Sequence, residues 1–277
     1  MLVDYHVHTE YSDDSFYPME KVVKDAITLG IKELCFTDHV DYGILSDNKE
    51  GVKYELTPLG KPKLNVNYPK YFEEITLLQE RYEGKIVIKK GLEFGVQTHT
   101  IKQYQELFKK YSLDFVILSI HQIGNKEFWN QIYQEGKSQK EYNDAYYQEL
   151  YDVITLFSDY SVLGHLDLIK RYDKFGEYPF ENNKEIITKI LQHVIKEGKG
   201  IEINTSSHRY GVSDLTPSKD ILKLYHELGG TVITLGSDSH SEEHLGAYIK
   251  ETMAILREIG FKHHCTFENM RPSFHPL

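Results

Sequence analysis

Cysteine is nearly absent from this 277-residue chain, with Cys35 and Cys265 the only two. Cys35 lies inside the apolar run Leu34-Cys35-Phe36, where it reads as a buried thiol. A disulfide scaffold is therefore not expected, and a reducing cytoplasm is the expected compartment. Long apolar runs are missing as well. No stretch approaches the ~20 residues that a bilayer-spanning helix needs. The first residues pass directly into a strand-like segment, without a basic region followed by an apolar signal core. Positive charge is in deficit: 32 basic against 42 acidic side chains leave a net charge of −10. A diffuse acidic surface repels a polyanion, which disfavours extended contact with nucleic acid. No internal repeat or low-complexity linker divides the chain, and its 40% apolar composition suffices for one large core. Residues 1–277 are accordingly read as one domain. The oligomeric state is not indicated.

What is present is one recurring event, an apolar run that ends in a metal-ligand residue. It occurs at Val3-Asp4-Tyr5-His6-Val7-His8, at Leu34-Cys35-Phe36-Thr37-Asp38-His39, and at Val87 to Glu93. It recurs at Phe115 to His121, at Ser161 to His165, and at Val232 to His240. Segments of helical spacing lie between these runs, at 18–29, 68–82, 101–111, 139–157, 182–197, 218–228 and 244–259, and Gly30, Gly198, Gly229 and Gly260 stand where helices should stop. With a further strand at Gly200–Asn204, seven strand–helix units alternate, which implies parallel strands joined by right-handed crossovers. The ligand-bearing ends are all C-terminal strand ends, where α/β barrels place active sites. A doubly wound open sheet competes, but ligands from six strands converge more readily on a barrel mouth than on one crevice of a flat sheet. The expected fold is thus an α/β barrel.

The donor types narrow the chemistry. His6 and His8 are two apart and face one side of a strand; Asp238 and His240 repeat that geometry at the last strand. Glu93 ends an otherwise apolar run; alone it would read as a salt-bridged carboxylate, but among histidines such as His39, His121 and His165 a carboxylate can bridge two divalent ions. Each of these residues alone has a bland reading as a polar strand end, but six coincidences of position do not. Imidazole with carboxylate suits Zn, Fe or Mn rather than Ca or Mg, and the lack of cysteine ligands favours catalytic over structural metal.

In order along the chain, His6-Val7-His8, Asp13-Asp14, Thr37-Asp38-His39, Gly91-Leu92-Glu93, Ser119-Ile120-His121, Leu163-Gly164-His165 and Gly236-Ser237-Asp238-Ser239-His240 resemble the signature segments of the polymerase-and-histidinol-phosphatase (PHP) superfamily. Cys35 to Asp41, Ser119 to Gln122, Gly164 to Arg171 and Glu202 to Ser206 are similar to its histidinol-phosphatase branch in particular. The resemblance implies a distorted (β/α)7 TIM-like barrel with three divalent ions. His6, His8, Glu93 and Asp238 would hold the first, and Glu93 would bridge to a second completed by His121 and His165. His39 and His240 would hold the third with Asp14, which is preferred to Asp13 and stands where many relatives have histidine.

Ions bridged by a carboxylate activate water and clamp a phosphoryl group for in-line attack. The remaining phosphate charge favours a forked cation, and arginine is scarce, at five. Arg171 and Arg209 follow strands on the site face and are the candidate phosphate ligands; Arg81, Arg257 and Arg271 fall in helix or tail segments. Asp238, His208 and a water are candidate proton donors for the leaving group. Asp41, Tyr42, Glu127 and Trp129 have chemistry suited to an ammonium and an imidazole. The long segment 41–67 is open between a substrate lid and an inert insertion, with Asp41 and Tyr42 expected at the pocket. The leading reading is hydrolysis of L-histidinol phosphate, a small-molecule phosphate monoester, in histidine biosynthesis. Its rivals are a PHP hydrolase of nucleotides or nucleic-acid 3′ ends, and a regulatory metal-binding module without catalysis.

Overall fold

The computed structural model describes residues 1–49, 51–212 and 214–277. At its centre lie seven parallel strands: β1 (Val3–Val7), β2 (Glu33–Phe36), β3 (Val87–Gly95), β4 (Phe115–Ser119), β5 (Val162–Leu163), β6 (Gly200–Asn204) and β7 (Ile233–Gly236). They pair in chain order, and the two-residue strand His39–Val40 adds to β3 beside Glu93 and Phe94. Outside them run α1 (Met19–Leu29), α2 (Tyr68–Arg81), α3 (Ile101–Lys110), α4 (Gln139–Leu156), α5 (Phe180–Lys196), α6 (Lys219–Glu227) and α7 (Ile249–Ile259). This is the expected alternation, a nearly closed barrel of seven strands.

Local chemistry sets the helix ends. Pro18 enters α1 in extended conformation and Gly30 leaves it left-handed at φ 77°. Ser138 and Glu141 cap α4 reciprocally, side chain to backbone in both directions. The helix expected from His244 begins instead at Ile249, because Gly246 and Tyr248 take positive φ and interrupt the turn that precedes it. The helices cover the barrel with a continuous apolar layer that includes Val22, Ile75, Tyr104, Leu150, Ile190 and Leu256. A second, smaller cluster fills the end of the barrel away from the mouth: Val3, Tyr5, Cys35, Phe115, Ile117, Val162 and Val232 meet Cys265 and Phe267. Both cysteines are free and buried there.

Cys265 and Phe267 belong to a terminal hairpin absent from the expected elements, β8 (His263–Glu268) and β9 (Arg271–Pro276). Its turn places Asn269 and Met270 at φ 50° and 65°, the positive-φ pair of a two-residue hairpin, without the glycine that usually marks one in sequence. The Phe267 N–H donates to the Tyr5 hydroxyl at 2.8 Å, and the Met270 N–H to the Asp114 carbonyl at 2.9 Å. The hairpin therefore plugs the barrel floor.

Closure between β1 and β7 is thin. One backbone bridge joins Val7 and Ser239, with the His8 N–H donating to the Ser239 carbonyl at 2.8 Å. Below it a side chain replaces the ladder. Asp4 Oδ1 accepts from the Ser237 N–H at 2.9 Å and the His6 N–H at 3.3 Å; Oδ2 accepts from the Ser237 hydroxyl at 2.5 Å and the Gly246 N–H at 2.9 Å. Asp4 is fully buried. Burial pushes its carboxyl up to about 6, against the pull of the donors from Ser237, Gly246 and His6.

Asp4→Ala strands several buried donors, so a stability loss of about 3 kcal/mol or more is expected in chemical denaturation. Because the folded pKa lies above the ordinary carboxyl value of 3.8, Asp4 contributes most below that value and loses contribution as pH rises through about 6. The wild type's margin over Asp4→Ala should therefore widen as pH falls from 7 towards 4. A margin that narrows would refute this account of the seam.

Candidate metal centre

The barrel delivers its donors to one place, and Glu93 is in the middle of it. From the end of β3, Glu93 Oε2 lies 3.1 Å from His6 Nε2, 3.5 Å from His8 Nε2 and 3.1 Å from His39 Nδ1. Its Oε1 lies 2.8 Å from His165 Nε2 and 3.2 Å from His121 Nε2. Asp238, after β7, closes the first side, with Oδ1 3.6 Å from His6 Nε2 and 3.4 Å from His8 Nε2. The remaining ring nitrogen of His39 faces Asp14, whose Oδ2 is 3.5 Å from His39 Nε2 and 3.1 Å from His240 Nε2. Every residue of the sequence-derived ligand set is thus at the mouth. Asp14, not Asp13, stands between His39 and His240.

These donors form groups whose ligand atoms all lie within 4.8 Å of one another: His6, His8 and Asp238; Glu93, His121 and His165; and His8, Asp14, His39 and His240. A fourth grouping of His39, Asp41 and His121 overlaps them. The atoms fit cations better than one another. Glu93 Oε2 and His39 Nδ1 are buried and 3.1 Å apart, yet neither has a hydrogen-bond partner. Polar atoms aimed at shared space without a hydrogen-bond geometry between them are what ions would satisfy.

Charge is compensated inside the cluster. Burial would raise the Glu93 carboxyl, but His6, His121 and His39 outweigh it and hold it well below the usual range. Asp238 is likewise held low against burial by His6, His8, His240 and Arg209. His8 goes the other way: burial, then His240 and His39, press its pKa well down, so it stands as a neutral donor.

Further side chains fix the rings. Glu202, in the middle of buried β6, contacts His6 Nδ1 through Oε1 and accepts the His165 N–H at 2.9 Å through Oε2. Ser12 Oγ sits 3.1 Å from His8 Nδ1 and donates to Asp38 at 2.8 Å. Asp41 Oδ1 lies 2.9 Å from His121 Nδ1. A carboxylate behind a histidine sets its tautomer and orientation. Sequence reasoning missed the parts played by Glu202 and Ser12. An acidic residue alternating with isoleucines, as in Gly200-Ile201-Glu202-Ile203-Asn204, was the signal available for the first.

Beside the cluster opens a cavity of ≈ 430 Å³, lined by Asp14, Glu93, His121, Arg171, Glu127, Trp129, Leu59 and Tyr210 among others. Four sequence expectations change here. His208 is exposed and its ring stacks on Tyr248 at 4.2 Å, away from the cavity, so it is not placed to donate a proton. Tyr42 turns its hydroxyl to Asp47 and Tyr68 and lines a separate groove. Asp41 reaches the cavity, but its Oδ1 is engaged with His121 and Gln122 and its Oδ2 lies 3.6 Å from His39 Nδ1, so it sits with the histidines rather than out where an ammonium would bind. Arg209 donates to the Ser237 carbonyl at 2.7 Å and to the Asp238 carbonyl, bracing Asp238 at φ 54° rather than lining the cavity. Arg171 does line it, with a buried Nε that has no partner. The described residues of segment 41–67 contribute Ile44, Leu45, Thr57, Pro58, Leu59 and Lys63 to the wall at the mouth, while Glu50 lies outside the described residues.

A barrel with clustered imidazoles and carboxylates at its C-terminal mouth defines a class of metal-dependent hydrolase scaffolds. The PHP domain model matches residues 4–206, and the chain belongs to that family. It is 33% identical over 273 residues to a histidinol-phosphatase of Lactococcus lactis, covering 97% of this chain and 95% of that one. A probable histidinol-phosphatase of Thermotoga maritima is 28% identical, covering 95% and 94%. The crystal structure of the L. lactis histidinol phosphate phosphatase, complexed with zinc, L-histidinol and phosphate, superposes with a TM-score of 0.84 at 32% identity, covering 98% of each chain.

Glu202→Gln removes the anion behind His6 while keeping the side chain's shape. The variant is expected to hold divalent metal about 10- to 100-fold more weakly in competition with a chelator. Unchanged retention would mean that Glu202 only pins the backbone of His165.

Proposed function

We propose that this protein is a metal-dependent phosphomonoesterase that hydrolyses L-histidinol phosphate to L-histidinol and phosphate, and so serves histidine biosynthesis in the cytoplasm. One observation carries the reading: the two oxygens of a single buried carboxylate, Glu93, each face a different set of imidazoles. That is the geometry of a bridging ligand. His6, His8, Glu93 and Asp238 would hold one divalent ion, Glu93, His121 and His165 a second, and Asp14, His39 and His240 a third. Zinc, iron and manganese all suit these donors. Bound there, divalent ions supply an activated water and neutralise phosphoryl charge.

The chain's own groups supply the rest. Arg171 is buried beside Asp238, its Nη2 3.8 Å from Asp238 Oδ2, and lies over the Tyr210 ring at 4.2 Å. Its unpartnered Nε and its position at the cavity suit a phosphate oxygen. Arg209 acts through Asp238, holding that residue's backbone so that its carboxylate faces the histidines and both arginines. Of the candidate proton donors, His208 lies away from the cavity and Asp238 is held as a carboxylate, which leaves a water as the proton source for the leaving group. Further out, Trp129, Leu59 and Leu168 offer a flat apolar wall for an imidazole ring, and Glu127 an anion for the ammonium. Glu127 is bound by one neighbour, the Asn130 amide at 3.0 Å, and so is available. The net charge of −10 favours this small ester over a nucleic-acid end.

A panel of phosphate esters assayed after loading with Zn, Mn or Fe tests the reading. L-histidinol phosphate should show the highest kcat/KM, and chelation should abolish activity; equal or better hydrolysis of nucleotides would overturn the substrate assignment. Arg171→Met should cost about 2–4 kcal/mol in kcat/KM for every ester, because the phosphate is common to all. Glu127→Gln should lower kcat/KM for L-histidinol phosphate roughly tenfold and leave p-nitrophenyl phosphate unaffected. Equal losses on both substrates would remove Glu127 from ammonium recognition.

A further inference from the structure

The segment across the mouth is fastened at one point by an unusual contact. Residues 55–63 fold into a tight hairpin: Leu56 bridges Pro62, Lys63 N–H donates to the Glu55 carbonyl at 2.8 Å, and Thr57 N–H donates to the Lys61 carbonyl at 2.7 Å. From its tip, the Lys61 ammonium donates to the carbonyls of Glu10 at 2.8 Å, Ser15 at 2.5 Å, and Ser12. Thr57 adds a bond from its hydroxyl to the Asp13 carbonyl at 3.3 Å. An ammonium has three N–H donors, and all three find acceptors on one loop. Those acceptors straddle Asp13 and Asp14.

That loop is otherwise held at its ends. Asp38 accepts from the Thr9 N–H at 2.7 Å and the Ser12 hydroxyl at 2.8 Å, and the Ser15 hydroxyl donates to the His240 carbonyl at 2.9 Å. Asp14 lies between these anchors with 43% of its side chain exposed, whereas Glu93 and Asp238 are buried at strand ends. It lies in no strand and is the most exposed member of the donor set. A loop carboxylate must lose backbone freedom to ligate, at roughly 1–2 kcal/mol per residue fixed, unless that freedom has already been removed.

We propose that Lys61 is a positioning residue for Asp14: by closing the Glu10–Ser15 loop onto the hairpin, it pre-orders the Asp14, His39 and His240 group for its ion and couples that group to closure of the segment over the cavity. The inference rests on the metal-dependent reading above. It makes the segment more than a cover, since lifting the hairpin withdraws three hydrogen bonds from the loop that carries a ligand. It also assigns the role to an ammonium specifically. A guanidinium has a planar fork that cannot send three bonds from one nitrogen to converging carbonyls.

Zinc binding to the metal-free protein, followed by competition with chelators of graded strength, tests the proposal without assaying activity. The wild type should resolve classes of site that include the Asp14 group, identified as the class lost in Asp14→Asn. Lys61→Met should weaken that class about tenfold or more and leave the others unchanged, and Lys61→Arg should not restore it. In the double variant Lys61→Met with Asp14→Asn, the lysine change should add nothing to zinc affinity. A purely structural lysine would instead lower the melting temperature of the metal-free protein and leave every zinc affinity alone; that outcome overturns the proposal. If the wild type binds no zinc, the metal-dependent reading fails, and this one with it. If it binds zinc normally and Lys61→Met does too, this one alone fails.

Discussion

A carboxylate taken wholly out of water is costly unless cations or donors surround it, and Glu93 is such a group at the centre of the barrel mouth. It is 1% exposed and meets five imidazoles through two oxygens. Those imidazoles come from β1, from the chain beyond β2, and from the ends of β4 and β5. Their positions relative to Glu93 are set only when the strands pair in order. The barrel and the cluster are therefore one constraint: strand register brings the donors to Glu93, and the cluster needs that register to leave no charge stranded.

The support behind the donors follows the same logic. His6 is backed by Glu202, His8 by Ser12 and Asp38, and His121 by Asp41. Each is a polar group behind an imidazole that points its other nitrogen inward, so ring orientation is fixed before anything binds. The seam between β1 and β7 shows what happens where strands alone do not suffice. Asp4 takes over from the backbone ladder and also receives the His6 N–H, so barrel closure and the placement of the first ligand share one side chain.

Much of this was legible in the sequence, for a physical reason. Parallel strands buried on both faces read as apolar runs, and a run that ends in His, Asp or Glu marks a strand end at the mouth. His6, His8, His39, Glu93, His121, His165, Asp238 and His240 were all visible in that way, and Asp14 through the family pattern. The misses lie where position does not follow from period. Asp41 follows His39 closely, yet its carboxylate turns to His121, eighty residues on. His208 follows a barrel strand as Arg171 does, but the turn Thr205–His208 rotates it onto Tyr248. Arg209, next in sequence, folds back on two carbonyls. The terminal hairpin escaped because Asn269-Met270 lacks the glycine that would mark its turn.

Segment 41–67 was the least legible part, being poor in periodicity and rich in Gly, Pro and polar residues. Such a segment cannot build a core of its own. Its order is borrowed from several contacts, among them the Asp41 N–H donating to Asn65, the Tyr42 N–H donating to the Tyr104 hydroxyl, Tyr42 and Tyr68 sharing Asp47, and Lys61 gathering the carbonyls of the Asp14 loop. Two contacts join the segment to the donor set: Asp41 backs the buried side at His121, and Lys61 reaches the loop that carries the exposed Asp14. The barrel thus fixes the deep part of the site, around Glu93, while its outer rim depends on a lysine reaching across from a loop. The hairpin at 55–63 and the most exposed residue of the donor set therefore lie on the same side of the cavity.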